Sequence, residues 1–219
     1  MSTPIGNLKD ITLRALEVLK SVDLILAESP LNTRPLLKAY DIRTPVHKLN
    51  QHARSKNISH WIQMLSRGYN IAYVSSAGSP GISDPGNWLV REALRWDIKV
   101  SPIPGPSAVT AAYSVSGMPS DGFVFLGFLS PKSSRRRKEL EEFKEQRRPI
   151  LIFESCHRIS ETIKDLLMIL GNRNVVMVRE ASKLFEEVKL LDLKGLEGYL
   201  NDHELKGEIT LIVEGRKGN

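Results

Sequence analysis

Three short polar clusters hold the residues best suited to moving protons: Glu154-Ser155-Cys156-His157-Arg158, Arg179-Glu180-Ala181-Ser182-Lys183 and Lys206-Gly207-Glu208. The first two directly follow apolar runs that read as strands, at 150–153 and 175–178. Their side chains therefore stand at the carboxyl ends of neighbouring strands, where open α/β sheets gather groups around a ligand. A carboxylate or amine in such a place can take or guide a proton as bonds are exchanged. Taken alone, each carboxylate reads equally well as a helix cap or a surface ion pair.

Two further stretches lack reactive side chains and offer backbone instead. Residues 71–86 begin as an apolar run suited to a buried parallel strand and then break into small residues, with three glycines and two prolines. Pro104-Gly105-Pro106-Ser107-Ala108 likewise connects a predicted strand to a predicted helix. Small residues at such turns let a ligand approach N–H and C=O groups directly.

A third feature is charge. The chain of 219 residues carries a formal net charge of +6, which favours a polyanionic partner. The excess is concentrated between residues 132 and 148, where Arg135-Arg136-Arg137-Lys138 runs uninterrupted before glutamates mix in. The later half reads as a solvated helix with i,i+4 pairs. Four adjacent cations repel one another unless an anion is near, and a phosphate backbone would supply it.

The elements that must position these groups follow from periodicity and punctuation. Asp10 or Thr12 caps a helix with an apolar stripe at Leu13, Leu16, Val18 and Leu19, and 22–27 reads as a strand ending at Glu28. A polar turn at 29–32, a short helix over 35–40, a helix over 54–67 stopped by Gly68, the strand opening at Ile71, a helix over 88–96 and a strand over 98–103 follow. This alternation predicts a doubly wound parallel sheet. The second half has predicted strands at 123–128, 150–153, 175–178, 184–191 and 208–213 with helices over the basic run and over 159–170, which predicts a separate mixed sheet. The boundary is expected at 117–122, giving an N-terminal domain of 1–117 and a C-terminal domain of 118–219.

No long uncharged apolar stretch suggests a membrane span, and Met1 leads into Ser-Thr-Pro rather than a secretory signal peptide. The single Cys156 cannot form an internal disulfide, and the scattered histidines, His47, His52, His60, His157 and His203, lack zinc-site spacing. A reducing cytoplasm and no structural metal are the expectations. Dinucleotide, P-loop and nucleophile-elbow motifs are missing.

Taken in order, Thr3-Pro4-Ile5-Gly6-Asn7-Leu8 with Asp10-Ile11-Thr12-Leu13-Arg14-Ala15-Leu16, and Ala77-Gly78-Ser79-Pro80 with Ile82-Ser83-Asp84-Pro85-Gly86, resemble the tetrapyrrole-methylase superfamily. Pro102-Ile103-Pro104-Gly105-Pro106-Ser107-Ala108, Glu154-Ser155 with His157-Arg158, Arg179-Glu180 with Lys183-Leu184-Phe185-Glu186-Glu187, and Gly207-Glu208 with Val213-Glu214-Gly215 continue the match. Within the superfamily the chain looks like the members that methylate a cytidine 2′-oxygen of small-subunit ribosomal RNA. The resemblance implies a two-domain α/β fold, S-adenosylmethionine bound between the domains, a homodimer, and ribosomal RNA or the small ribosomal subunit as partner. It implies cofactor contacts from Pro4, Ile5, Gly6, Ser76, Ala77, Gly78, Ser79, Ile82, Ser107, Ala108 and Ile209. Glu154, Glu180 and Lys183 are then the candidates for handling the ribose proton, with Arg158 and the 135–138 run holding phosphate. Which of the three is the base stays open.

The chain also departs from its relatives. Glu28-Ser29-Pro30-Leu31 replaces Glu-Asp-Thr-Arg, Ser76 replaces an aspartate, and Phe153 and Cys156 replace Tyr and Pro. The family's first strand would precede Thr3, so an upstream start or a missing sheet edge is expected. Two alternatives follow from the lost charges, a methyltransferase paralogue with another acceptor or a catalytically silent RNA-binding relative; a small-molecule tetrapyrrole methylase is a third, which would leave the arginine run without an evident partner.

Overall fold

The computed structural model describes residues 1–49, 56–83, 86–119 and 121–217. The chain divides into two compact units, Met1–Ser107 and Ala108–Asn219. This division precedes the expected boundary because helix α5, Ala108–Ser114, packs Val109 and Ala112 against the apolar sheet residues of the second unit.

In the first unit, α1 (Leu13–Ser21) starts where the Thr12 side chain accepts the Ala15 N–H at 3.2 Å, and it buries Ala15 and Leu19. Strand β1 (Leu24–Ala27) is buried throughout, as its uninterrupted apolar run requires. The segment 29–32, expected as a turn, is the first turn of α2 (Pro30–Ala39): Ser29 caps it by accepting the Asn32 N–H, and Pro30 occupies a position where no N–H is needed. Strand β2 (Val46–Lys48) has too few apolar residues to announce itself. Helix α3 (Lys56–Ser66), strand β3 (Ile71–Val74) and helix α4 (Asn87–Arg95) follow. The sheet is parallel in the order β2-β1-β3, with Ala27 opposite Val74.

Residues 98–103, expected as a strand, pair with no strand. Pro102 and Pro104 have no N–H to give a ladder, and the Ile103 carbonyl instead accepts the Ser2 N–H at 3.1 Å.

The second unit contains β4 (Val124–Phe128), α6 (Ser133–Glu141), β5 (Ile150–Ser155), α7 (Ile159–Leu170), β6 (Asn174–Arg179), β7 (Glu187–Asp192), α8 (Leu193–Asp202) and β8 (Glu208–Val213). The order is β4-β5-β8-β6-β7, with β4 parallel to β5 and β8 antiparallel to both β5 and β6. The expected mixed sheet is therefore present. Ile150, Ile152, Met177 and Leu211 pack with residues of α6, α7 and α8, while Leu151, Val176, Val178 and Ile212 pack with those of α5. Helix α8 was not expected because Gly195 and Gly198 weaken its propensity; Asp192 offsets this by accepting the Gly195 N–H at 2.6 Å.

Arg136 on α6 is fully buried. Its Nε donates to Asp165 Oδ2 of α7 at 2.7 Å and its Nη1 to the Ser130 carbonyl at 3.2 Å, while Ser133 Oγ also donates to Asp165. Removing one partner of such a pair strands the other in the interior. Arg136→Ala should therefore cost about 3–5 kcal/mol in urea unfolding, whereas Arg135→Ala on the exposed face should change stability by less than about 0.5 kcal/mol.

Candidate active site

In the first unit the parallel register sets Glu28 beside residues 75 and 76 at the carboxyl edge. Ser76 donates to Glu28 Oε2 through its Oγ at 2.7 Å and its backbone N–H at 3.3 Å. The loop after β3 is tied down on its other side. Thr3 and Gly78 exchange backbone bonds of 2.9 and 3.0 Å, Ser75 Oγ donates to the Gly78 carbonyl at 2.9 Å, and the Ser2 and Ser79 hydroxyls share a bond of 2.8 Å. Ser79 Oγ also reaches the Pro106 carbonyl at 3.2 Å. Gly78 has φ +73°, a left-handed conformation that favours glycine, and Ile5 lies beside it. The structure thus ties residues 2–3, 75–79 and 103–106 into one backbone-lined surface that carries the expected cofactor segments 4–6 and 76–82 and ends just before Ser107. Within it Pro4, Ile5, Ser76 and Ser79 are half-buried and Gly6, Ala77 and Ile82 are exposed. Asp84 and Pro85 of the motif, and His52, lie outside the described residues.

The second unit assembles the two strand-end clusters differently. Glu154 is buried, and both its oxygens are committed: Oε1 accepts from the Ser155 N–H at 2.7 Å and Arg158 Nε at 3.0 Å, Oε2 from Arg158 Nη2 at 3.0 Å and Thr162 Oγ1 at 2.5 Å. Arg158 also donates to the Leu129 carbonyl, so its guanidinium is engaged inside the unit.

Glu180 and Lys183 form a second, more open cluster. Because β8 runs antiparallel to β6, its first residue returns to Glu180: the Glu180 N–H donates to the Glu208 carbonyl at 2.9 Å and the Glu208 N–H to Glu180 Oε1 at 3.0 Å. Lys183 Nζ lies 2.8 Å from both Glu180 Oε1 and Glu208 Oε2. Glu180 takes φ +50°, a conformation uncommon for a side-chain-bearing residue. Gly207 has φ +92°, and a Cβ there would overlap the Glu180 carboxyl, so only glycine admits this arrangement. The Lys183 bond, helped by the Glu208 N–H, holds the Glu180 carboxyl below its ordinary range although burial opposes it. Burial pulls the Lys183 ammonium down, but its bonds to Glu180 and Glu208 outweigh that and raise it. Near neutral pH the pair is carboxylate and ammonium.

Other expected site residues are placed elsewhere. Ala108 opens α5, and the Ile209 side chain is buried in the core beside Ile152 and Leu211, its backbone paired with Glu154 of β5 on one side and Arg179 of β6 on the other. The basic run does not act as one patch, because successive helical residues fan out around the axis. Arg136 is buried on Asp165 and is not available to phosphate. Arg137 leans on Asp165 at 3.1 Å and on Ser133. Arg135 and Lys138 alone of the four are exposed without a bond to a neighbouring carboxylate. Sequence reasoning missed Glu28 as a partner of Ser76 and Thr162 as a partner of Glu154, because both pairings depend on how distant segments align.

The sequence pattern of the tetrapyrrole (corrin/porphyrin) methylases matches residues 2–197. The chain belongs to this family. Among tetrapyrrole methylase relatives, ribosomal RNA small subunit methyltransferase I of Thermotoga maritima is 42% identical over 217 residues, covering 99% of this chain and 97% of its own. The X-ray structure of cobalt precorrin-4 methyltransferase, a cobalamin biosynthetic enzyme, superposes with a TM-score of 0.70 at 15% identity, covering 98% of this chain and 92% of that one. The Thermus thermophilus uroporphyrin-III C-methyltransferase complexed with S-adenosyl homocysteine gives a TM-score of 0.65 at 19% identity, covering 98% and 95%. The fold of this chain is thus shared with methyltransferases of different names.

The Glu180 cluster makes stability depend on acid. A carboxyl held low in the native state contributes stability that is present above its ordinary value of 4.5 and is lost as the pH falls through the lower native value. Urea midpoints from about pH 6 to pH 3 should fall, and Glu180→Gln should flatten that fall.

Proposed function

We propose that this methyltransferase moves the methyl group of S-adenosylmethionine to a cytidine 2′-oxygen of small-subunit ribosomal RNA. The near full-length match to the Thermotoga maritima relative carries the reading. The first unit's loops fit the cofactor: their side chains are small, they present backbone N–H and C=O groups, and Gly78 turns the chain with a φ of +73° that favours glycine. The cofactor supplies an electrophilic methyl on a positively charged sulfur. The Glu28 carboxylate, held by Ser76, offers that charge a counterpart and supports activity despite the aspartate absent at 76. Pro4 to Gly6, Ser76 to Ser79, Ile82 and Ser107, all of the first unit, are the residues we assign to holding it.

In-line displacement needs the ribose oxygen aligned and its proton removed as the oxygen–carbon bond forms and the sulfur–carbon bond breaks. Glu180 is the proton acceptor in this reading. It is partly exposed, and it shares Lys183 with Glu208, so an incoming hydroxyl can exchange for one of its bonds. Lys183 orients the carboxylate and, as an ammonium, balances charge near the oxygen. Glu154 positions: its buried carboxylate fixes Arg158 and the start of α7. Arg135 and Lys138 hold phosphate. The same reading makes the protein a cytoplasmic homodimer, and the exposed apolar Val188 and Leu190 on β7 and Val90 and Leu94 on α4 are consistent with a protein partner.

Small-subunit particles incubated with labelled S-adenosylmethionine should yield 2′-O-methylcytidine; cofactor binding without that product overturns the assigned acceptor, and absence of cofactor binding by calorimetry favours the silent relative. Glu180→Gln and Lys183→Met should each lower kcat by about 10²–10⁴ with cofactor affinity kept. Glu28→Gln should weaken S-adenosylmethionine more than its uncharged-sulfur product, by about five- to tenfold, on the order of 1 kcal/mol.

A further inference from the structure

The turn joining β6 to β7 presents two large apolar side chains to solvent: Leu184 is 88% and Phe185 67% exposed. It is not a slack loop. Lys183 N–H donates to the Glu180 carbonyl at 2.9 Å, Glu186 N–H to the Lys183 carbonyl at 3.2 Å, and Ser182 N–H to Glu186 Oε2 at 2.5 Å. Glu180 and Ser182 both hold positive φ, +50° and +67°, which persists only where surrounding contacts enforce it. The Lys183 ammonium pins the base of the turn to two carboxylates. The tip is therefore a fixed support that carries an aromatic ring.

Resting on the function proposed above, we propose that Phe185 is the stacking platform for the base of the acceptor nucleotide, with Leu184 beside it, and so a residue that determines substrate positioning. Where the acceptor nucleotide lies in a single-stranded segment, its unstacked base is held by stacking on an aromatic face. Phe185 and Lys183 are two residues apart, so their Cα atoms are at most about 7 Å from each other, a span that one nucleoside bridges. The charge of the turn itself favours the base over the phosphate: the Lys183 ammonium is held by Glu180 and Glu208, and Glu186 stands beside it on the Ser182 N–H.

The test compares Phe185→Ala, Phe185→Leu and Phe185→Tyr in the full chain. Readouts are binding of a labelled single-stranded RNA containing cytidines by fluorescence anisotropy, KM and kcat for methylation of small-subunit particles, calorimetric affinity for S-adenosylmethionine, and sedimentation. Phe185→Ala should weaken RNA binding and raise KM by about tenfold or more. Phe185→Tyr should recover wild-type values within about threefold, Phe185→Leu should not, and cofactor affinity and melting temperature should stay as they are. Unchanged RNA affinity in Phe185→Ala, full rescue by Leu, wild-type protein that binds no RNA, or a changed sedimentation coefficient would each overturn the proposal, the last by making this tip a contact between protein copies. Wild-type protein that binds RNA and cofactor but methylates nothing would sink the assigned reaction, while the anisotropy series would still decide the role of Phe185.

Discussion

One ammonium between two carboxylates governs the second unit's functional edge. Lys183 lies at equal distance from Glu180 and Glu208, which come from opposite directions of the chain: one follows β6, the other begins β8. Lone surface pairs are weak because two long side chains must be held in place against solvent. Here the backbone does the holding. Glu180 and Glu208 are joined through reciprocal bonds, and the glycine at 207 gives the carboxyl its room. An ion cluster so supported can keep its geometry while remaining open on one side, which is what a group that exchanges partners with a substrate requires.

The first unit solves a different problem with different means. Its loops carry hardly any ionisable side chains, and hydroxyls and backbone bonds fix them: Ser2, Thr3, Ser75 and Ser79 are each tied to another loop segment. Short polar side chains lose little conformational freedom when they are fixed in this way. The surface that results is shaped by main chain. Glu28 is the exception, and the Ser76 bonds aim its carboxylate at the loop.

What could be read from the residues alone was whatever depended on local pattern. The β-branched runs of β3, β5, β6 and β8 declared themselves, as did the capped α1 and the stripe of α7. The mixed sheet followed from a strand predicted at 184–191 with no helix before it. What could not be read depended on residues far apart in the chain. A cationic run gives no sign that Arg136 will face Asp165 on another helix and be buried with it. Ser29 and Pro30 signal a turn and a helix start equally, and only the packing of α2 decides. The Glu28–Ser76 contact exists because of one strand register, and no single loop encodes it. Thr162 looks like an ordinary helical residue until Glu154 turns inward beneath it.

The position of β8 has a consequence for how the protein is made. This strand lies between β5 and β6, which were synthesised well before it, and it is the only strand joining the pair β4-β5 to the pair β6-β7. Without residues 208–213 the sheet of the second unit would be two separate pairs of strands, each with an open edge of residues that the folded chain buries, such as Leu151, Ile152, Val176 and Met177. Open edges of that kind invite wrong pairing. Folding of this half must therefore wait for nearly the whole of the described chain, and the same late strand that closes the sheet also delivers Glu208 to Lys183. Completion of the core and assembly of the ion cluster are one event.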